Sequence, residues 1–339
     1  MTQGISVFML VILATGTWAN ADTPAEKLIR KPDRWFRSSE AEKAMKCIIS
    51  WQSDFGAWPK NRDTTREEFS GDRSKLRGTF DNGATIGELR ALARAFRVTG
   101  DLDYKKAFLK GYDHILDAQY PNGGWPQYFP LSKQYHRHIT FNDGTMVGIL
   151  EILRDTAVNA DFKFLDKSRR DATHIAIALG LDCILKCQIV VDGNPTVWCA
   201  QHDENTLAPA SARSYELESL SGAESAGILK FLMSIDHPDP ETILAVKHGI
   251  AWFESNKIEG FRYRKGSDKP CLIKDSTASS IWARFYEIKT LRPMFCDRDG
   301  IPKFDIQEIG PERRGGYSWY GNWGIEIIEG YSKWPHREQ

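Results

Sequence analysis

Apolar positions recur along much of the chain at helical spacing. In "DYKKAFLKGYDHILDAQ", Phe108, Tyr112, Ile115 and Leu116 fall on one face, the pattern of an amphipathic helix. Comparable stretches close at Gln52 ("CIISWQ"), Gln119 ("ILDAQ") and Gln188 ("ILKCQ"), and "AWFES" closes in the same register at Ser255. The intervals are 67, 69 and 67 residues. Trp58 and Trp125 each stand six residues beyond their glutamine, Phe261 six beyond Ser255, and Trp198 ten beyond Gln188. The second half of each copy also aligns. "FDNGATIGEL" matches "FNDGTMVGIL" without gaps, and "SGAESAGIL" continues the series. Gly87, Gly148 and Gly227 then share one register. A helical glycine costs about 1 kcal/mol relative to alanine, so three at one position predict close helix–helix contact.

The repeating unit is a helix, a loop with an aromatic residue, a longer loop and a second helix. Such a period predicts an all-α fold, an (α/α) toroid of helical hairpins with long loops. A few short strands are expected, with "FRYR" and "TVWC" as candidates. The toroid is expected to form a single domain over residues 22–339, with its long loops gathered on one face, where binding residues concentrate.

The first 21 residues carry no charged side chain. Ile5 to Ala14 is an apolar run too short to span a bilayer, and Ala19-Asn20-Ala21 matches a cleavage pattern. Residues 1–21 therefore read as a signal peptide, and the mature protein is expected to be secreted or periplasmic. No other run is apolar enough for a membrane span, so stable membrane insertion is not expected. Lys+Arg and Asp+Glu number 45 each, which gives no general attraction to nucleic acid. Nothing in the pattern calls for an oligomer, and a monomer is expected. The six cysteines include no CxxC pair, and Cys183 and Cys187 lie one helical turn apart, so a zinc site is not expected. Their pairing stays open.

The candidate chemistry lies in the loops. "QYPNGGWPQYFP" carries Trp125, Tyr128 and Phe129. Trp125 is either a plug between hairpins, as its recurrence suggests, or a face for a sugar ring beside Tyr128. Asp143 precedes the apolar helix "TMVGILEIL", where a helix N-cap accounts for an aspartate. His136 and His138 have no metal-ligand spacing. Asp203 and Glu204 occupy the matching loop of the next copy, as solvated carboxylates or as ligands. Because the loops are equivalent, Asp143 and Asp203 are candidates to converge, and oxygen ligands from loops suit calcium. Arg213 stands in "ARSYELESLSGAES", and Arg284, Arg292, Arg298, Arg313 and Arg314 follow among aromatics in the C-terminal third. Arginine offers bidentate contacts to carboxylates that lysine does not reproduce.

"NGGWPQYFP", "HITFNDGTMVGILEIL", "ARSYELESLSGAES", "WARFYEIKTLRPMFCDRDG" and "ERRGGYSWYG", in this order, resemble the family 10 polysaccharide lyases, pectate lyases of the α/α-toroid type. The resemblance covers most of the chain. It implies calcium-assisted β-elimination of polygalacturonate, with Arg298 of "DRDG" as the base. It implies uronate carboxylates held by Arg284 and by Arg313, with Arg314 as the alternative to Arg313. Arg213, the "ARSYEL" arginine, would bind substrate with them. Asp143 would serve the calcium region, with Asp203 as second ligand or Glu204 in its place. Three other readings remain. A toroidal glycoside hydrolase would use Asp143 and Glu204 as paired carboxylates. A terpene cyclase would need an acidic initiation run that is absent. A non-catalytic pectin-binding protein would use the same loops without making product.

Overall fold

The computed structural model describes residues 22–266 and 271–338. The expected signal peptide lies outside the described residues. Among the described residues there are ten α-helices, in chain order: α1 Pro24–Leu28, α2 Ser39–Ser50, α3 Ile86–Thr99, α4 Leu102–Asp117, α5 Thr145–Val158, α6 Lys167–Cys187, α7 Gly222–Met233, α8 Pro240–Ser255, α9 Pro311–Gly316 and α10 Trp323–Ser332. Among the described residues the strands are two or three residues long and pair only in twos. None of the helices is long and apolar enough to cross a membrane among the described residues.

The helices pack as two rows. α3, α5, α7 and α10 touch in succession, and so do α2, α4, α6 and α8. Hairpins α3/α4, α5/α6 and α7/α8 join the rows. α5 and α7 are buried nearly all round, whereas α6 buries a single stripe, so the first row is the inner one. Side-chain oxygens open the outer row. Ser38 accepts from the Ala41 amide, Asp101 from Asp103, Asp166 from Arg169 and Asp239 from Thr242, each satisfying an amide that the helix leaves unpaired.

The sequence repeat has a physical cause. Gln52 Nε2 donates to the carbonyls of Gly56 and Ala107, at 2.8 Å each. Gln119 repeats this with Gly123 (3.0 Å) and Ala176 (2.9 Å), and Gln188 with Thr196 (2.9 Å) and Ala245 (3.0 Å). Each glutamine therefore ties the end of one outer helix to the next outer helix. The tryptophans plug the junctions. Nε1 of Trp58, Trp125, Trp198 and Trp282 donates to the carbonyl of Ile48, Ile115, Ile184 and Phe253, respectively. All four are 0–1 % exposed.

Three expectations change. The fourth plug is Trp282, not Phe261, because the Phe261–Tyr263 strand pairs with Leu272–Lys274 and displaces the plug along the chain. "TVWC" is not a strand, since the segment carries Trp198 into the core. Nor is the close contact at the predicted glycine register throughout. A Cβ on Gly87 would meet Thr23 Oγ1 at 2.3 Å, but Gly148 has only Ile86 at 4.0 Å and Gly227 nothing within 4 Å. The recurrent approach is at Gly111, Gly180 and Gly249 on the outer helices, where a Cβ would lie 2.7–2.9 Å from an inner-helix leucine.

Candidate active site

Four arginines gather on two tyrosine rings. Arg213 and Tyr215 lie in the loop before the strand Leu220–Ser221, and Arg284 sits between strands Trp282–Ala283 and Phe285–Tyr286. Arg298 tips the Phe295–Cys296/Pro302–Lys303 hairpin, and Arg313 is in α9. The guanidinium carbons of Arg313, Arg213 and Arg298 stand 4.3, 4.9 and 5.8 Å from the centre of the Tyr215 ring. Those of Arg284 and Arg213 stand 5.0 and 5.8 Å from the Tyr317 ring. The two rings meet edge to face at 5.6 Å. Cations over ring faces are attracted by the quadrupole, so the tyrosines hold like charges together.

Carboxylates beneath the rings fix the cluster. Glu216, buried, takes a bidentate contact from Arg213 and accepts from the Tyr317 hydroxyl at 2.7 Å. Burial alone would raise its pKa, but Arg213 and Tyr317 outweigh that and hold it below the usual range. Arg284 pairs with buried Glu224 and reaches Asn142 Oδ1 at 3.4 Å and Asp143 Oδ1 at 3.8 Å. Burial disfavours its charge, yet Glu224 foremost keeps it firmly protonated. Glu312 bridges Arg298 (3.0 Å) and Arg313 (2.7 Å) and is held down to about 2 by these hydrogen bonds. Arg213 and Arg298 keep open faces, at 43 % and 64 % side-chain exposure, while Arg284 and Arg313 are sunk beneath them.

Next to Arg284 two tight turns pack together, Asp81–Gly83 and Asn142–Gly144, equivalent in the repeat. Each holds a left-handed residue, Asn82 (φ 55°) and Asp143 (φ 52°), a conformation that Asn and Asp tolerate best among non-glycine residues. Asp143 does not cap α5. The cap position is Gly144, without a side-chain bond, and Asp143 turns its Oδ2 to Asn142 Nδ2 at 2.7 Å. Its pKa is pushed up to about 6 by burial first and then by Asp81, against the pull of Arg284. Asp81 Oδ2 accepts from Lys60 and Gln127, while its buried Oδ1 has no hydrogen-bond partner.

Asp203 belongs to a different cluster. The pairing of Ile139 with His202 brings His138 to Glu204. The ligand atoms of His138, Asp203 and Glu204 lie within 4.8 Å of one another. These carboxylates are already engaged. Asp203 Oδ1 accepts from the amides of Asn205 (3.0 Å) and Thr206 (2.8 Å) and from the Thr206 hydroxyl (3.0 Å), and the amide bonds lower its pKa. Glu204 binds Arg137 and His138. The two aspartates expected to converge, Asp143 and Asp203, are thus held by separate sets of neighbours.

The pectic acid lyase family profile matches residues 52–328. The chain belongs to that family. It is a pectate lyase. The fold is similar to the family 10 polysaccharide lyase from Cellvibrio cellulosa, with 37 % identity, 90 % of this chain and 97 % of that one covered, and a TM-score of 0.81. It is equally similar to an aspartate-to-alanine mutant of the Cellvibrio cellulosa lyase in complex with trigalacturonic acid, with 36 % identity, coverage of 91 % and 98 %, and a TM-score of 0.80. No curated protein matches the chain.

Trp125 is corrected from substrate contact to core. At 0 % exposure, with its Nε1 bonded to Ile115, the enzyme has no face of it to offer a ligand. Tyr128 is 8 % exposed and packs between Arg77 and His136. As a cation site, the two carboxylate groups differ. The His138, Asp203 and Glu204 group already has its donors, whereas the Asp81–Asp143 pair has an orphaned buried oxygen and mutual repulsion that a cation would relieve. Asp81, Glu216, Glu224, Tyr215 and Tyr317 were not singled out from sequence. Asp81 had a signal, since "FDNG" aligns on "FNDG". The others lay inside conspicuous motifs, but nothing in a linear motif tells which acid reaches which arginine.

Proposed function

We propose that this pectate lyase cleaves polygalacturonate by calcium-assisted β-elimination, as an exported monomer. The gathering of Arg213, Arg284, Arg298 and Arg313 on Tyr215 and Tyr317 carries the reading. A uronate chain presents one carboxylate per sugar, and a cluster of guanidinium groups with Arg213 and Arg298 open to solvent suits that density of charge. The trigalacturonic acid bound by the Cellvibrio cellulosa lyase is of the same chemistry.

In the reaction the C5–H bond breaks toward a base. Its electron pair forms the C4–C5 double bond, and O4 departs and takes up a proton. Negative charge builds on the uronate carboxylate in between. Arg284, fixed by Glu224 and facing Asp143, is preorganised to stabilise that charge. Asp81 and Asp143 are the residues to hold calcium, which when bound would neutralise the same carboxylate and acidify the C5 proton.

The base is an arginine on Tyr215. The resemblance assigns Arg298. A second reading favours Arg213, because among the described residues it alone touches both rings and so stands between Arg284 and the Arg298/Arg313 pair. Flanking cations are what lowers a guanidinium's hold on its proton. Arg298 is paired with Glu312 and Arg213 with Glu216, which raises the proton affinity of Arg213, so that the pairing must loosen as the uronate binds. The hydrolase alternative is disfavoured because Glu204 is committed to Arg137 and His138, apart from Asp143.

The test is ultraviolet absorbance of unsaturated uronide from polygalacturonate at alkaline pH, with calcium or with chelator. A calcium-dependent rise is expected. Arg298→Lys and Arg213→Lys are compared under saturating substrate, and the base is the one whose loss lowers kcat at least a thousandfold. New reducing ends without absorbance would overturn the lyase mechanism in favour of hydrolysis. Binding without any product would leave a pectin-binding protein.

A further inference from the structure

Arg77 stands out among the cations near the site. It is exposed, and among the described residues it makes no ion pair and no side-chain hydrogen bond. Its guanidinium lies 4.0 Å above the Tyr128 ring. Tyr128 meets His136 edge to face at 5.1 Å, and His136 stacks on Tyr135 at 3.9 Å and 25°. The result is a wall of one cation and three flat rings.

The wall is built in, not draped. Directly after Arg77, a Cβ on Gly78 would lie 2.5 Å from Ala57, so the backbone is pressed against its neighbour. Thr79 donates its amide to Trp58 and its hydroxyl to the Gln127 carbonyl (2.7 Å), and the Phe80 amide also donates to Gln127. The Gln127 amide donates in turn to the His136 carbonyl at 2.9 Å. The Arg77 segment, the Tyr128 loop and the Tyr135–His136 turn are thus one hydrogen-bonded unit, and that unit ends in the Asp81 turn. It also adjoins the arginine cluster. The charges of Arg213 and Lys60 both act on Tyr135 and on His136.

We infer that Arg77, Tyr128 and the Tyr135–His136 stack form a distal uronate subsite, in which Arg77 takes the carboxylate of a galacturonate beyond those held by the arginine cluster. The inference rests on the pectate-lyase reading for its substrate class. The half-buried rings of Tyr135 and His136 give the apolar face of a pyranose a surface, and Arg77, stacked on the buried Tyr128, leaves its N–H edge free for a carboxylate. Tyr128 fixes the guanidinium before substrate arrives, so little ordering entropy is lost on binding. The enzyme then reads chain length as well as charge.

Two measurements test it. Initial rates of wild type, Arg77→Ala and Arg77→Lys are compared on galacturonate oligomers from trimer to hexamer. Arg77→Ala is expected to raise KM about tenfold on the longest oligomers, the usual size for one charged contact. It should leave kcat, and KM on the shortest cleaved oligomer, unchanged. Calorimetry with saturated trimer and hexamer in chelator is the second measurement. Wild type should bind hexamer more tightly, and Arg77→Ala should remove the difference. Equal effects on every length, or equal hexamer binding by wild type and Arg77→Ala, would overturn the subsite. If wild type binds the hexamer through Arg77 but yields no unsaturated product, the lyase mechanism falls and the subsite stands.

Discussion

Asp143 offers a decisive test of the two-turn acidic site. Its pKa lies at about 6 in the folded protein against an ordinary 3.8. A carboxyl raised on folding works against stability once it ionises. Between pH 4 and 6 the unfolded chain gives up this proton while the folded protein keeps it, so stability falls as pH rises through that window and the full cost remains above it. At about 1.36 kcal/mol per pH unit the cost is about 3 kcal/mol. The side chain is 32 % exposed, and water screening reduces the figure to about 1–2 kcal/mol. Asp143→Asn removes the charge, and asparagine accepts the left-handed φ at least as well. In chelator, urea unfolding should therefore find the variant more stable than wild type by about 1–2 kcal/mol at pH 8, with the gain shrinking toward zero by pH 4. Added calcium should stabilise wild type and not the variant, and lyase activity should be lost. A variant that is less stable than wild type at pH 8 in chelator would show that Arg284 and Asn142 outweigh burial and Asp81, and the acidic pair would not be a site awaiting a cation.

Further outcomes follow from the packing. Arg284→Leu strands the Glu224 carboxylate at 3 % exposure and should cost about 3–5 kcal/mol in urea unfolding, most of it recovered by adding Glu224→Leu. Gly180→Ala puts a Cβ 2.9 Å from the Trp125 ring and should cost about 1–3 kcal/mol. Gly227→Ala meets nothing within 4 Å and should gain up to about 1 kcal/mol, with thermal melts of the two variants moving in opposite directions. Gln119→Ala strips the Gly123 and Ala176 carbonyls of their donor and should cost about 1–3 kcal/mol without changing KM.

The sequence by itself determined the helices, their pairing into hairpins and the repeat. These rest on short-range physics: apolar residues every three or four positions, capping side chains, and a tryptophan in each unit, joined in three of the four by a glutamine, that must find equivalent partners each time. Family membership was legible for the same reason, since long motifs keep their order. The site was legible only as a set of residue types. Arg213, Arg284, Arg298 and Arg313 were visible as arginines, but Tyr215 and Tyr317 decide that they meet, across up to 100 residues of chain. Asp143 read as a helix cap until its left-handed backbone set it one residue outside the cap. Asp81, of the preceding copy, packs beside it because the two equivalent turns meet, while Asp203 is held by the amides of its own loop. Trp125 could not be told from a sugar-binding face, since an aromatic residue in a glycine-rich loop looks the same whether it points into the core or out of it. Pattern specifies what each segment needs to bury. Which charges then face one another is fixed by loops whose conformations are set by contacts far away in the chain, and that only the tertiary structure decides.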